Sequence, residues 1–111
     1  MTIKIEETEP FKKAVKKEKI NKSDIDKLKD ELKENPEKGD VIQKSEGLRK
    51  VRMAINNSGK RGGARVIYLY LVVKKKIYLV TVYKKAVKDD LSDDDLKIFR
   101  KYTTLLKKSE E

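Results

Sequence analysis

The chain has 111 residues, of which 29 are basic and 19 acidic, giving a formal net charge of +10. That length fits one domain, expected over residues 1–111, and the absence of cysteine and histidine excludes disulfides, thiolate chemistry and imidazole acid–base catalysis. No apolar run approaches membrane-spanning length and no signal-peptide core is visible, so a soluble cytoplasmic protein with no membrane partner is expected.

Thr2 to Ile5 alternates polar and apolar residues, as a short strand does. Phe11, Ala14 and Val15 follow at helical spacing. Ser23 reads as the N-cap of a second helix, with Asp26 three residues on. Ile25, Leu28 and Leu32 form its apolar stripe, and Asn35–Pro36 ends it because the residue before proline avoids the α region. The two helices are expected to pair as a hairpin. From Gly39 the pattern turns to β. Val41–Ile42 is a short extended piece. In the strand from Leu48 to Ile55, Arg49, Val51, Met53 and Ile55 fall on one face and Leu48, Lys50, Arg52 and Ala54 on the other. The glycine- and asparagine-rich stretch 56–63 is a loop. Ala64 to Val73 lacks polar alternation and predicts a central strand covered on both faces. Lys74–Lys75 marks a turn, and Lys76 to Tyr83 returns antiparallel. Ser92, with Asp95 at the third helical position, opens a final helix whose stripe is Leu96, Phe99, Thr103 and Leu106. The fold class is α/β of the α+β type: N-terminal helices on a small, mainly antiparallel twisted sheet, closed by a C-terminal helix.

The charge is segregated. Residues 1–43 carry 11 basic and 11 acidic residues, and residues 91–111 carry 5 of each. Residues 44–90 carry 13 basic against 3 acidic residues, which is the whole +10. Solubility does not require such clustering, whereas a polyanion rewards it, because grouped Lys and Arg displace counterions from phosphates. Lys74, Lys75 and Lys76 read as charges that protect a sheet edge. Lys50 and Arg52 lie about 7 Å apart on one strand face, close enough to converge on one phosphate. Arg52 and Arg65 adjoin apolar runs where an unpartnered charge is costly. The antiparallel return of the last strand brings Lys85 towards Arg65. Arg49, Lys60, Arg61, Lys84 and Tyr83 complete the candidate RNA-binding set. No metal site or cofactor is expected.

These residues fall in a recognisable order. Asn35-Pro36 precedes Gly39-Asp40-Val41-Ile42-Gln43. Gly47-Leu48-Arg49-Lys50-Val51-Arg52 follows, then Gly59-Lys60-Arg61-Gly62-Gly63-Ala64-Arg65-Val66-Ile67-Tyr68. Tyr78-Leu79-Val80-Thr81-Val82-Tyr83-Lys84-Lys85 and Asp90-Leu91-Ser92 complete the set. In order and spacing it resembles the RelE/HigB family of type II toxin–antitoxin toxins, nearest the HigB-like branch of the RelE/ParE superfamily. The resemblance covers roughly residues 30–108. It implies a RelE-like fold and a ribosome-dependent mRNA endonuclease, or mRNA interferase, that inhibits translation. It further implies metal-free attack of a ribose 2′-OH on the adjacent phosphate. The implied partners are a cognate antitoxin, mRNA in the ribosomal A site, and the ribosome with its 16S rRNA. Lys50 aligns with the family's base, Arg52 and Arg65 with phosphate-stabilising positions, and Lys85 with an acid or stabiliser. Ala86 and Val87 stand where members often carry a polar residue. That departure motivates an alternative, a non-enzymatic or catalytically weak member that binds RNA or the ribosome, or inhibits DNA gyrase as ParE-like members do.

Overall fold

The computed structural model describes residues 2–55, 63–86, 88 and 90–111. Among them, strand β1 (Lys4–Glu7) leads to helices α1 (Glu9–Glu18) and α2 (Lys22–Glu34). Strands β2 (Asp40–Val41), β3 (Leu48–Met53), β4 (Ala64–Leu71) and β5 (Lys76–Lys84) follow, and helix α3 (Asp93–Ser109) closes the chain. The sheet order is β1-β5-β4-β3-β2. All neighbours are antiparallel except β1, which runs parallel to β5. The expected α+β arrangement is therefore present, and β4 is the central strand.

Two apolar layers sandwich the sheet. On one face, Val51, Met53, Ala64, Val66, Tyr68 and Leu79 pack with Phe11, Ile25, Leu28 and Leu32 of the first two helices. On the other, Leu48, Ile67, Leu69, Tyr78 and Val80 pack with Phe99, Tyr102 and Leu106 of α3. This explains the unbroken apolar run of β4. A bulge between Ile67 and Tyr68 shifts the β4–β5 register, so Tyr68 faces Leu79 while Ile67 faces Thr81.

Several local expectations change. The N-cap of α2 is Asn21, with no side-chain cap bond, and Ser23 lies within the first turn. Consecutive helices α1 and α2 are joined by the short link of residues 19–21, α1 lying on β5 and α2 on β3, and Phe11, Ile20, Ile25, Leu28 and Leu32 share one core layer. β4 ends at Leu71. Val72 and Val73 belong to the turn, where Val73 is 92% exposed, because Lys75 adopts a positive φ and its N–H donates back to the Val72 carbonyl. The capping box of α3 forms as expected, with the Ser92 hydroxyl accepting from the Asp95 N–H.

A buried knot fixes the start of β2. The Tyr68 hydroxyl donates to the Pro36 carbonyl (2.7 Å) and accepts the Gly39 N–H (2.9 Å). Tyr68→Phe strands both backbone groups. The expected loss is about 1–3 kcal/mol of unfolding free energy, read as a lower urea midpoint with an unchanged slope.

Both ends of α3 are held by carboxylates. Hydrogen bonding from Lys88, then from Ser92, lowers the Asp95 pKa. Tyr78 and then Lys76 do the same for Glu110 at the other end. A depressed carboxylate contributes stability above its unfolded pKa and loses it as pH falls through the folded value. Acidification below about pH 4 is therefore expected to free α3 before the central strands unfold. Hydrogen exchange at pH 3 and pH 7 checks this: the α3 amides should lose protection selectively. Asp95→Asn and Glu110→Gln should flatten that dependence.

Candidate active site

Strand alternation separates the cations. Leu48, Lys50 and Arg52 share one face of β3, and cross-strand pairing sets Lys50 opposite Ile67 and Arg52 opposite Arg65. Arg65 in turn faces Tyr83 of β5. Leu48 and Ile67 on this face lie under α3. Further along, Lys50 is half-buried and Arg52 is exposed, so the α3 side of the sheet carries an apolar, covered end and a cationic end.

The Arg52–Arg65 pair is its central feature. The Lys85 N–H donates to the Gly63 carbonyl, and this fixes the phase of the ladder. Arg65 and Tyr83 form a hydrogen-bonded pair, and Arg65 and Arg52 a non-hydrogen-bonded one, whose Cα atoms lie about 4.5 Å apart with side chains closest. Like charges directly opposite destabilise a sheet. Arg65 is also only 6% exposed, and the one hydrogen bond of its guanidinium among the described residues runs from Nη1 to the Ala64 carbonyl, 3.2 Å. A buried guanidinium with four further N–H donors, facing a second guanidinium, favours an anion between them.

Around this pair stand three other groups. Lys50 Nζ lies 3.3 Å from Asp90 Oδ1. Asp90 was not among the candidate site residues, although it is one of only 3 acids in the basic segment, and that rarity was the available signal. Lys85 is exposed at the rim, beside Gly63 at the start of β4. Tyr83 is 6% exposed, so it is no open stacking platform. Burial, reinforced by the Asp90 carboxylate, pushes its pKa up to about 12. Its hydroxyl is thus protonated at neutral pH. It has no partner within strict hydrogen-bond geometry among the described residues, and the Asp90 carboxylate is the acceptor that acts on it.

The structure does not bring every candidate together. Arg49 faces the opposite layer, where its Nη1 donates to the carbonyls of Gly39 (2.7 Å) and Glu37 (3.3 Å). Lys84 pairs with Ala64 on that same opposite face, and its N–H donates to Glu18. Lys60, Arg61 and Val87 lie outside the described residues. No helix among the described residues is long and apolar enough to cross a membrane.

These features define a class of α+β protein in which one sheet face is half covered by a terminal helix and half given over to cations. A family profile described as RelE toxin of the RelE/RelB toxin–antitoxin system matches residues 3–111. The chain belongs to the RelE toxin family, whose members work opposite a cognate antitoxin. Among solved structures, it is similar to an arginine double mutant of the E. coli toxin RelE in the free state. The identity is 19% and the TM-score 0.52, over 80% of this chain and 90% of that one. At that identity the likeness speaks for the fold.

Proposed function

We propose that this toxin is a ribosome-dependent endoribonuclease that cuts mRNA in the A site. The observation that carries the reading is the Arg52–Arg65 pair, two opposed guanidiniums on an otherwise well-packed sheet. The scissile phosphate lies between them. Lys50 parts from Asp90 when the RNA arrives, gives up its ammonium proton to solvent beside the two guanidiniums, and as the neutral amine accepts the proton of the ribose 2′-OH. The freed oxygen attacks the adjacent phosphorus, and Arg52 and Arg65 stabilise the charge that builds on the phosphorane oxygens. The P–O5′ bond breaks and Lys85 supplies the proton to the leaving oxygen. The products are a 2′,3′-cyclic phosphate and a 5′-OH end. In this reading Lys50 and Arg52 come from one face of β3, Arg65 from the neighbouring β4 and Lys85 from the turn after β5.

The test is primer extension on translated mRNA after inducing the protein in cells, with a Lys50→Ala, Arg65→Ala double variant beside it. Discrete cuts within codons, present for the wild type and absent for the variant, are expected. Growth arrest with intact mRNA and inhibited DNA supercoiling would instead transfer the reading to gyrase.

A further inference from the structure

Strand β1 lies at the outer edge of the sheet and pairs only with β5. Its Lys4 N–H and the Thr8 N–H just beyond it donate to the carbonyls of Lys75 (3.0 Å) and Leu79 (3.1 Å). Backbone groups alternate in direction along a strand, so Ile3, Ile5 and Glu7 turn theirs away from the sheet. No strand among the described residues pairs with them. The side chains alternate as well. Ile3 and Ile5 pack against the core layer of α1 and α2, and Glu7 is bound on that side by Lys29 at 2.7 Å. Lys4 and Glu6 are exposed on the opposite face, where Glu6 lies 3.5 Å from Lys76. Along the edge a shallow cleft of about 530 Å³ opens over Ile3 and Ile5, with Lys33 of α2 in its wall. An open strand edge of this kind is a template for a further strand.

We propose that the occupant is a second copy of this chain, the two β1 strands running antiparallel about a two-fold axis at Ile5. Backbone parity and charge select this register together. Outward-facing residues must meet outward-facing ones for the ladder to form, which excludes every register that sets Ile3, Ile5 or Glu7 against Lys4 or Glu6. Among the rest, an axis at Lys4, Glu6 or Glu7 sets that residue against its own copy, and like charges directly opposite destabilise a sheet. An axis at Ile3 leaves Glu6 and Glu7 beyond the paired segment. The axis at Ile5 sets Lys4 of each copy opposite Glu6 of the other. It also sets Glu7 of each copy opposite Ile3 of the other, at the cleft walled by Lys33. Opposite charges therefore meet on both faces of the sheet. The Ile5–Ile5 pair and the two Ile3–Glu7 pairs supply about six backbone hydrogen bonds. Lys4 and Glu6, which guard this edge against other strands, thus admit one register of self-pairing and reject its neighbours. The axis stands perpendicular to the sheet, so one sheet runs through both copies with both α3 helices on the same face. β1 pairs with the Lys76–Leu79 end of β5, whereas Arg65 lies at the Lys84 end. Both cationic sites stay open in the dimer, and the inference stands apart from the endonuclease reading.

Sedimentation equilibrium of the full-length protein from about 1 μM to about 1 mM tests the pairing, because one strand pair makes a small interface with an expected dissociation constant on the order of 10–100 μM. Lys4→Glu sets a carboxylate against Glu6 of the other copy, and Glu6→Lys sets an ammonium against Lys4. Each variant alone is expected to associate at least about 10-fold more weakly than the wild type. An equimolar mixture of the two variants should dimerise about as tightly as the wild type, because positions 4 and 6 then meet with opposite sign. Both positions are exposed, so each variant should melt close to the wild-type temperature. Amide exchange gives a second reading. Ile5 and Glu7 should be protected at high concentration and lose protection on dilution, while Lys4 and Thr8, bonded to β5, stay protected throughout. A wild type that remains monomeric at the highest concentration overturns the proposal. So does a mixture that stays as weak as its components. Wild-type affinity in both single variants would also overturn it, by placing the contact on another surface.

Discussion

Arg65→Ala is expected to reduce mRNA cleavage by about 10²–10³-fold, the scale of losing one preorganised charge stabiliser. The fold should tolerate the change. Arg65 is almost fully buried, and truncating it sacrifices the packing of its stem. The same truncation removes a guanidinium that faces Arg52 across a non-hydrogen-bonded pair, and relief of that repulsion offsets the lost contacts. Activity and stability should therefore separate, with a rate reduced by orders of magnitude and a melting temperature nearly unmoved. Arg52→Ala, at an exposed position, should also lose rate and should melt at the wild-type temperature or above it. If one phosphate occupies the space between the two side chains, the double variant loses little more than the worse single, because the pair acts as a unit. Multiplicative losses would place the two arginines on separate phosphates. Arg65→Lys should recover only part of the rate, since an ammonium keeps the charge but not the planar two-pronged donor. Quantitative primer extension for the rates and thermal unfolding for the folds suffice to check each expectation.

The parts legible in the sequence were those governed by local periodicity. The period-2 pattern of Leu48–Met53 put Lys50 and Arg52 on one face and Arg49 on the other, and the structure has them so. The stripes of α2 and α3 and the Ser92 cap were equally local. What escaped was set by tertiary context. Val72 and Val73 have strong β propensity yet sit in a turn, because the β4–β5 pairing ends at Leu71 and Lys76 and no residue type in the run announces that. Asn21 displaced Ser23 as the N-cap because Lys19, in the left-handed region, ends α1 and starts the next helix early. In the site, Arg52 and Arg65 could be singled out from their apolar neighbours, but their direct opposition depends on a register that spans the loop between β3 and β4. Lys84 and Lys85 are adjacent in sequence, and sequence alone assigns Lys85 to the reacting set and Lys84 to RNA binding. They diverge because Glu18, 66 positions away, takes the Lys84 N–H, while Lys85 turns back to Gly63. Tyr83 reads as an RNA-binding residue, and its burial in the layer under α3 follows from tertiary packing that no local pattern announces.

Gly63→Ala is expected to be the most damaging single-methyl change near the site. A Cβ at Gly63 would lie 2.2 Å from the Met53 carbonyl oxygen and 3.4 Å from the Ala54 Cα. These are backbone atoms, so no side chain can rotate away and β3 and β4 must part at their site end. Overpacking of this kind costs about 3 kcal/mol or more, which for a domain of this size lowers the melting temperature by on the order of 10 °C. The comparison with Gly39→Ala is instructive. There the new methyl meets the ring of Tyr68 at 2.8 Å and the Lys50 carbonyl at 2.9 Å, so the strain falls on the knot at the start of β2. At Gly63 it falls one residue from the Ala64–Met53 pair and two from Arg65. The guanidinium pair must widen with the strands, and the hydrogen bond from the Lys85 N–H to the Gly63 carbonyl shifts with them. A displacement of about 1 Å among reacting groups can cost 10²-fold in rate. Gly63→Ala should therefore lose both stability and cleavage, whereas Arg65→Ala loses cleavage alone. Assaying Gly63→Ala well below its lowered melting temperature separates the two contributions: a rate that stays depressed in fully folded protein identifies altered strand spacing, and a rate that recovers would show that the glycine serves folding only.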